Sequence, residues 1–172
     1  MARIILTGFM ATGKTVVGRR LAAVLSRPFI DTDTLVEAKA GCKVSAIFAA
    51  EGEAAFRKRE RQAVVEACRV PDAVIATGGG TLLDPDSRRL LTTDGAVVCL
   101  TADPTAILAR LGDPATRPLI GQNGNNADRL TRIRALAAER APLYALAPYS
   151  VDTTNLTVDE VVERVRALVA GR

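Results

Sequence analysis

Gly8-Phe9-Met10-Ala11-Thr12-Gly13-Lys14-Thr15 is the stretch from which the fold of this chain can be read. It fits G-x-x-x-x-G-K-[ST], a loop whose backbone cradles phosphate groups. Ile4-Ile5-Leu6-Thr7 precedes it as a short apolar run that reads as a buried strand. Val17, Leu21, Val24 and Leu25 follow at helical spacing. In this strand–loop–helix context the two glycines permit a tight turn and close approach of a phosphate. Successive N–H groups point into one concavity at the positive end of the helix dipole. Ala11 to Val16 therefore form a triphosphate cradle, in which Lys14 reaches the terminal phosphates and the Thr15 hydroxyl faces a Mg²⁺ ion. The bland alternative is an ordinary glycine turn with a solvated lysine. It leaves the flanking strand and helix unexplained.

The remaining chain alternates strands with helices. Strands are predicted at Pro28 to Ile30, ending at Asp31-Thr32-Asp33, and at Ala73 to Ala76, Ala96 to Leu100 and Ser150 to Thr153. Helices are predicted from Thr34, with Thr34 and Glu37 as a capping box, and from about Glu53 to Cys68 after a short piece over Val44 to Ala50. Others start near Pro85 and Pro104, run from about Asp128 to Leu146, and close the chain from Val158 to Val169. This pattern predicts an α/β fold, a parallel sheet with helices on both faces, and ligands at the carboxyl ends of the strands. Gly112 to Asn126, rich in Gly, Pro, Asn and Asp, reads as a functional lid or a disordered segment within a single domain over residues 1–172.

Composition removes several function classes. The 172 residues are 48% hydrophobic, enough for one sizeable core. No apolar run reaches membrane-spanning length and no signal peptide fits the start, so a cytoplasmic chain is expected. Cys42, Cys68 and Cys99 lie far apart and form no metal pair. Histidine is absent, so a general base must be a carboxylate, lysine, tyrosine or thiolate. Aromatics are 3%, which argues against stacking platforms for nucleic acid. The net charge of +4 comes almost wholly from scattered arginines, which suits a small anion and a nucleotide better than a polyanion.

Four further groups are candidates. Asp31 and Asp33, at i and i+2 after a strand, point to one side if the chain stays extended; one then serves a metal shell and the other an attacking hydroxyl. Alternatively Asp33 caps a helix and Asp31 sits in a turn. Arg57, Lys58, Arg59 and Arg61 form either a solvated face, with Glu53–Arg57 as a surface pair, or part of a site. Gly78-Gly79-Gly80 costs more conformational entropy than a turn requires, and suggests close approach to a ligand or a hinge. Arg117 sits in the lid stretch, either solvated or arriving on closure to stabilise charge.

Taken together, the phosphate loop, Asp31-Thr32-Asp33, Gly52-Glu53 with Phe56-Arg57, Gly78-Gly79-Gly80, Thr116-Arg117-Pro118-Leu119, Arg140-Ala141-Pro142-Leu143-Tyr144 and Val151-Asp152-Thr153 resemble the shikimate kinases over essentially the full chain. The resemblance implies a nucleoside-monophosphate-kinase-like P-loop fold with a central five-stranded parallel sheet. It implies transfer of the ATP γ-phosphate to the 3-hydroxyl of shikimate, in the pathway to aromatic amino acids. By the same resemblance Asp33, Arg57, Gly78, Gly79, Gly80 and Arg140 face shikimate. Lys14, Asp33 and Arg117 are catalytic. Ala11 to Val16, Arg110 and Arg117 bind ATP, and Thr15 holds Mg²⁺ with Asp31 acting through water. The segment Thr154 to Leu156 lies on the adenine side, where this chain has Asn155-Leu156 in place of the basic or amide side chain often found. Shikimate and ATP are then the partners, with no nucleic acid, no membrane and a monomeric chain. Two competing readings are a gluconate-type or nucleotide kinase on the same fold and a non-catalytic nucleotide-binding regulator.

Overall fold

The computed structural model describes residues 2–112, 119–120 and 125–170. Five strands form one sheet among these residues: β1 (Arg3–Gly8), β2 (Phe29–Asp31), β3 (Val74–Ala76), β4 (Gly95–Thr101) and β5 (Tyr149–Asp152). Their order is β2-β3-β1-β4-β5, and every neighbouring pair is parallel. The expected parallel sheet is therefore present.

β1 lies between β3 and β4 and is buried on both faces. Ile4 and Leu6 point to one side, against Val17 and Leu21 of α1 (Lys14–Leu25) and Val161, Val162 and Val165 of α7 (Val158–Val169). Ile5 points to the other, against Val64 of α3 (Val44–Ala67) and Leu91 of α4 (Pro85–Thr93). Each such side chain contributes about 1.5–3 kcal/mol on burial. A strand clothed on both faces must be continuously apolar, as this one is. The chain leaves β1 toward β2 and β3 on one side and toward β4 and β5 on the other. A crevice opens at that divergence, beyond the carboxyl ends of the strands.

α2 (Thr32–Ala40) begins two residues earlier than the sequence suggests, and its cap is Asp31. One Asp31 oxygen accepts from the backbone N–H of Asp33, at 3.0 Å, and of Thr34, at 3.2 Å. The Thr34–Glu37 capping box is therefore not formed. The Glu37 carboxylate instead accepts from Lys43 and from the Val44 N–H at the start of α3. Asp33 is neither extended nor a cap; it sits in the first helical turn.

The two helical pieces expected around Gly52 are joined end to end in α3, and the break is a kink at Gly52 with φ 82° and ψ 177°. That combination is open to glycine alone in practice. The kink lets Val44 and Phe48 of the first half and Phe56 of the second face the same cavity. α5 (Pro104–Arg110) and α6 (Asn126–Tyr144) complete the fold. Proline in the first turn of α4 and of α5 costs no hydrogen bond there, and Asp84 and Asp103 cap these two helices. No helix among the described residues is long and apolar enough to cross a membrane.

A Cβ placed at Gly52 would meet nothing within 4 Å, so the cost of Gly52→Ala is purely that of the backbone. It should lower stability by about 1–3 kcal/mol in urea unfolding. An unchanged midpoint would show that the kink tolerates other side chains.

Candidate active site

The phosphate loop closes under constraint. Gly8 has φ 129° and Gly13 φ 97°. At Gly8 any Cβ would collide with the carbonyl of Leu100 in β4. Ala11 is held at φ 58°. The Thr12 hydroxyl donates to Phe9 O at 2.8 Å, and Lys14 Nζ donates to Gly8 O and Phe9 O at 2.9 and 2.7 Å. From the β5 end, the Thr153 hydroxyl donates to Thr12 O at 3.2 Å. Arg110 clamps the same corner, donating to Thr153 O and Thr154 O at 2.8 Å each.

These residues line a cavity of about 420 Å³ that includes Lys14, Thr15, Asp31, Asp33, Arg110 and Leu156. Thr15 Oγ1 donates to Asp31 Oδ2 at 2.7 Å. A hydroxyl and a carboxylate oxygen side by side at a phosphate cradle suit a hard divalent cation. Among the described residues no group of three or more acidic, cysteine or histidine side chains converges.

A second, narrower cavity adjoins the first, and Met10, Asp33 and Gly79 line both. Arg57, Glu60 and Arg140 line it as well. The two arginines differ in their surroundings. Arg57 donates to Glu53 at 3.2 and 2.9 Å and to Glu60 at 2.7 Å. Burial opposes its charge, but the two carboxylates outweigh that and raise its pKa. Arg140 is 3% exposed. It pairs with no carboxylate among the described residues, and its buried Nε has no hydrogen-bond partner there. Its guanidinium lies over the Phe9 ring at 6.0 Å.

The basic run divides between the cavity and the surface. Arg57 makes the surface pair with Glu53 and also turns inward. Arg59 pairs with Glu51 across the kink, and Arg61 with Asp84 and Asp86, as a solvated face would.

Glu60 was not foreseen from the sequence. It is 2% exposed and its second oxygen accepts from the Thr81 hydroxyl at 2.6 Å. A signal for it exists: Phe56, Glu60, Ala63, Val64 and Ala67 form one buried stripe, and Glu60 is its only charge. Two of the three glycines, Gly78 and Gly80, border this cluster. A Cβ at Gly78 would come within 2.5 Å of Glu60 Oε1 and 2.9 Å of Asp33 Oδ1, and one at Gly80 within 2.5 Å of Arg57. They make room for charged side chains that share the site.

Arg117 and most of the lid stretch lie outside the described residues. Leu119 borders the second cavity and the fully buried Ile120 packs near Phe9 and Ile133. Arg132 donates to Ile120 O at 2.9 Å. Cys99 is buried in β4, where desolvation pushes its thiol up to about 11.

A phosphate loop at the carboxyl edge of a parallel sheet, opening into a cavity with a carboxylate and a buried arginine, defines a P-loop phosphotransferase for a small anionic acceptor. The family model described as "Shikimate kinase" matches residues 10–170, and the chain belongs to that family. The shikimate kinase of Thermoanaerobacter pseudethanolicus is 44% identical over 96% of this chain and 94% of its own length. That of Caldanaerobacter subterraneus is 45% identical over the same shares. Among solved structures, shikimate kinase from Acinetobacter baumannii in complex with shikimate superposes with a TM-score of 0.92 at 33% identity, covering 100% of this chain and 95% of that one. The Aquifex aeolicus enzyme gives 0.80 at 30% identity, with 98% and 96% covered.

Proposed function

We propose that this chain transfers the γ-phosphate of ATP to the 3-hydroxyl of shikimate, giving shikimate 3-phosphate and ADP. Membership of the family supports the reaction. The observation that carries the assignment to these residues is the meeting of two cavities at Met10, Asp33 and Gly79, one over the phosphate loop and one lined by the buried Arg140, whose Nε has no hydrogen-bond partner among the described residues.

The roles follow from position. The loop over Ala11 to Val16 takes the phosphates, and Arg110 with Thr153 and Thr154 frames the adenine side. Thr15 and Asp31 would hold Mg²⁺, which when bound neutralises phosphate charge. Lys14 exchanges its carbonyl contacts for the transferring group. Arg117 is assigned to the same group on the family pattern alone. Arg140 and Arg57 hold the shikimate carboxylate, and Asp33 at the cavity junction orients the hydroxyl and takes its proton. Phosphoryl transfer passes through a loose transition state, so positioning and charge stabilisation do most of the catalysis. Residues 112–126 act as the lid that excludes water from the γ-phosphate. A monomer in the cytoplasm completes the reading.

A coupled assay of ADP release over shikimate, quinate, gluconate and nucleoside monophosphates tests the acceptor. Shikimate should be turned over and nucleoside monophosphates should not. Equal rates with shikimate and gluconate would overturn the assignment.

Asp31, rather than Asp33, caps α2, so Asp33→Asn should leave the thermal melt nearly unchanged. Turnover should fall by about 10²–10⁴-fold, the usual worth of a general base. A lowered melt with unchanged turnover per folded molecule would make Asp33 structural.

The arginines should separate as well. Arg57 is already matched by two carboxylates and Arg140 by none, so Arg140 carries the charge open to the ligand. Arg140→Lys loses the planar fork and should weaken shikimate binding by about tenfold or more, one decade being about 1.4 kcal/mol. Arg57→Lys should cost less binding and more stability, because the buried Glu60 depends on it. Calorimetric titration beside urea unfolding reads both; equal binding losses would point to a symmetric clamp.

A further inference from the structure

Gly78-Gly79-Gly80 presents a mechanical problem. Its side chains are absent, it borders both cavities, and glycine backbone is the freest in the chain. A site that must hold reacting groups within a fraction of an ångström cannot rest on a loose loop. The following turn holds two of its carbonyls, Gly78 O accepting from Thr81 N–H at 3.2 Å and Gly80 O from Leu83 N–H at 2.9 Å; the other restraints come from side chains. Gly78 N–H donates to the Thr32 hydroxyl at 3.2 Å. Past the loop, the Thr81 hydroxyl donates to Glu60. Between these two, the Gly79 carbonyl accepts from the Tyr144 phenol at 2.6 Å.

We propose that Tyr144 is a positioning residue for the acceptor: its hydroxyl fixes the Gly79–Gly80 peptide and thereby aims the Gly80 N–H at the acceptor cavity. The peptide unit is planar and trans, so fixing Gly79 O on one side sets the Gly80 N–H pointing the other way. Gly80 lines the acceptor cavity and its Cα packs within reach of the Arg57 guanidinium. Gly79 itself is wedged between Arg140 and the phosphate loop, with Arg140 Nη1 3.3 Å, Gly8 O 3.4 Å and Met10 N 3.5 Å from where its Cβ would stand. A rotation of this peptide would therefore move an acceptor donor and disturb the junction of the two cavities.

The phenol suits the task. Burial pushes Tyr144 up to about 12, against the pull of the nearby Arg140 charge, so it stays a protonated donor at neutral pH. Tyr144 sits at the end of α6, one turn beyond Arg140. One helix thus supplies both the carboxylate-binding arginine and the tether for the facing loop. Pro142 lies between them, inside the helix.

The inference rests on the acceptor reading above, and its test separates the two. Tyr144→Phe keeps the ring and removes the hydroxyl, and with it the bond to Gly79 O and the hydroxyl's contact with the Arg140 guanidinium. With shikimate as acceptor it should lower kcat/KM by about five- to tenfold, through both KM for shikimate and kcat, while KM for ATP stays within about twofold. A merely structural tyrosine would lower the melt and leave this split flat; a kcat/KM within twofold of wild type would overturn the proposal. In the wild-type protein, amide order parameters of Gly79 and Gly80 should stand near about 0.85, the value of rigid backbone, and values below about 0.6 would overturn it whatever the variant does. Failure of wild type to phosphorylate shikimate would instead remove the acceptor reading and leave the order-parameter result to decide the tether.

Discussion

β1 ends against β4 so closely that no side chain fits at Gly8, where a Cβ would collide with Leu100 O. This contact is the constraint on which the site depends. It forces a glycine at φ 129°, and the backbone turns there from a strand buried on both faces into the phosphate loop. The carboxyl end of a parallel strand and the amino end of α1 then meet at one point, where N–H groups and the helix dipole favour an anion. Thr12, Thr153 and Arg110 stitch the loop to the β5 corner, so the cradle is shaped before any phosphate arrives. Preformed donors lose little by reorganisation when charge develops against them.

The second half of the site is governed by charge balance. Glu60 is nearly inaccessible, and a lone buried carboxylate would be costly. Arg57 and Thr81 satisfy it from two sides. That leaves Arg57 largely spent on protein partners, whereas Arg140 remains buried without a counter-charge among the described residues. A buried guanidinium with an unused donor is a strong recognition element for a planar carboxylate. Gly78 and Gly80 are the steric consequence: Glu60 and Asp33 occupy the space a side chain would need at the first, and Arg57 at the second. Rigidity is returned to that loop by hydroxyl groups from α2 and α6.

The sequence by itself determined the strand–loop–helix at residues 4–25, the alternation of strands and helices, the parallel sheet and the family. These depend on patterns between near neighbours, and chain-local physics dictates them: glycines where φ is positive, apolar runs where both strand faces are covered, proline and aspartate at helix starts. The break at Gly52 was legible for the same reason. What only the tertiary structure decided lies in contacts between distant parts of the chain. Asp31 took the cap from Thr34: β2 leads straight into α2, and the Asp31 carboxylate accepts from the Asp33 and Thr34 N–H groups. Glu60 became a buried partner because β3 delivers Thr81 beside it. The two arginines became unequal because α3 carries Glu53 and Glu60 beside Arg57, while α6 places Arg140 against Phe9 without an ion pair among the described residues. The Tyr144 bond to Gly79 spans 65 residues. No local spacing encodes a hydrogen bond of that separation, because its geometry is fixed by the packing of a helix and a loop on the same sheet.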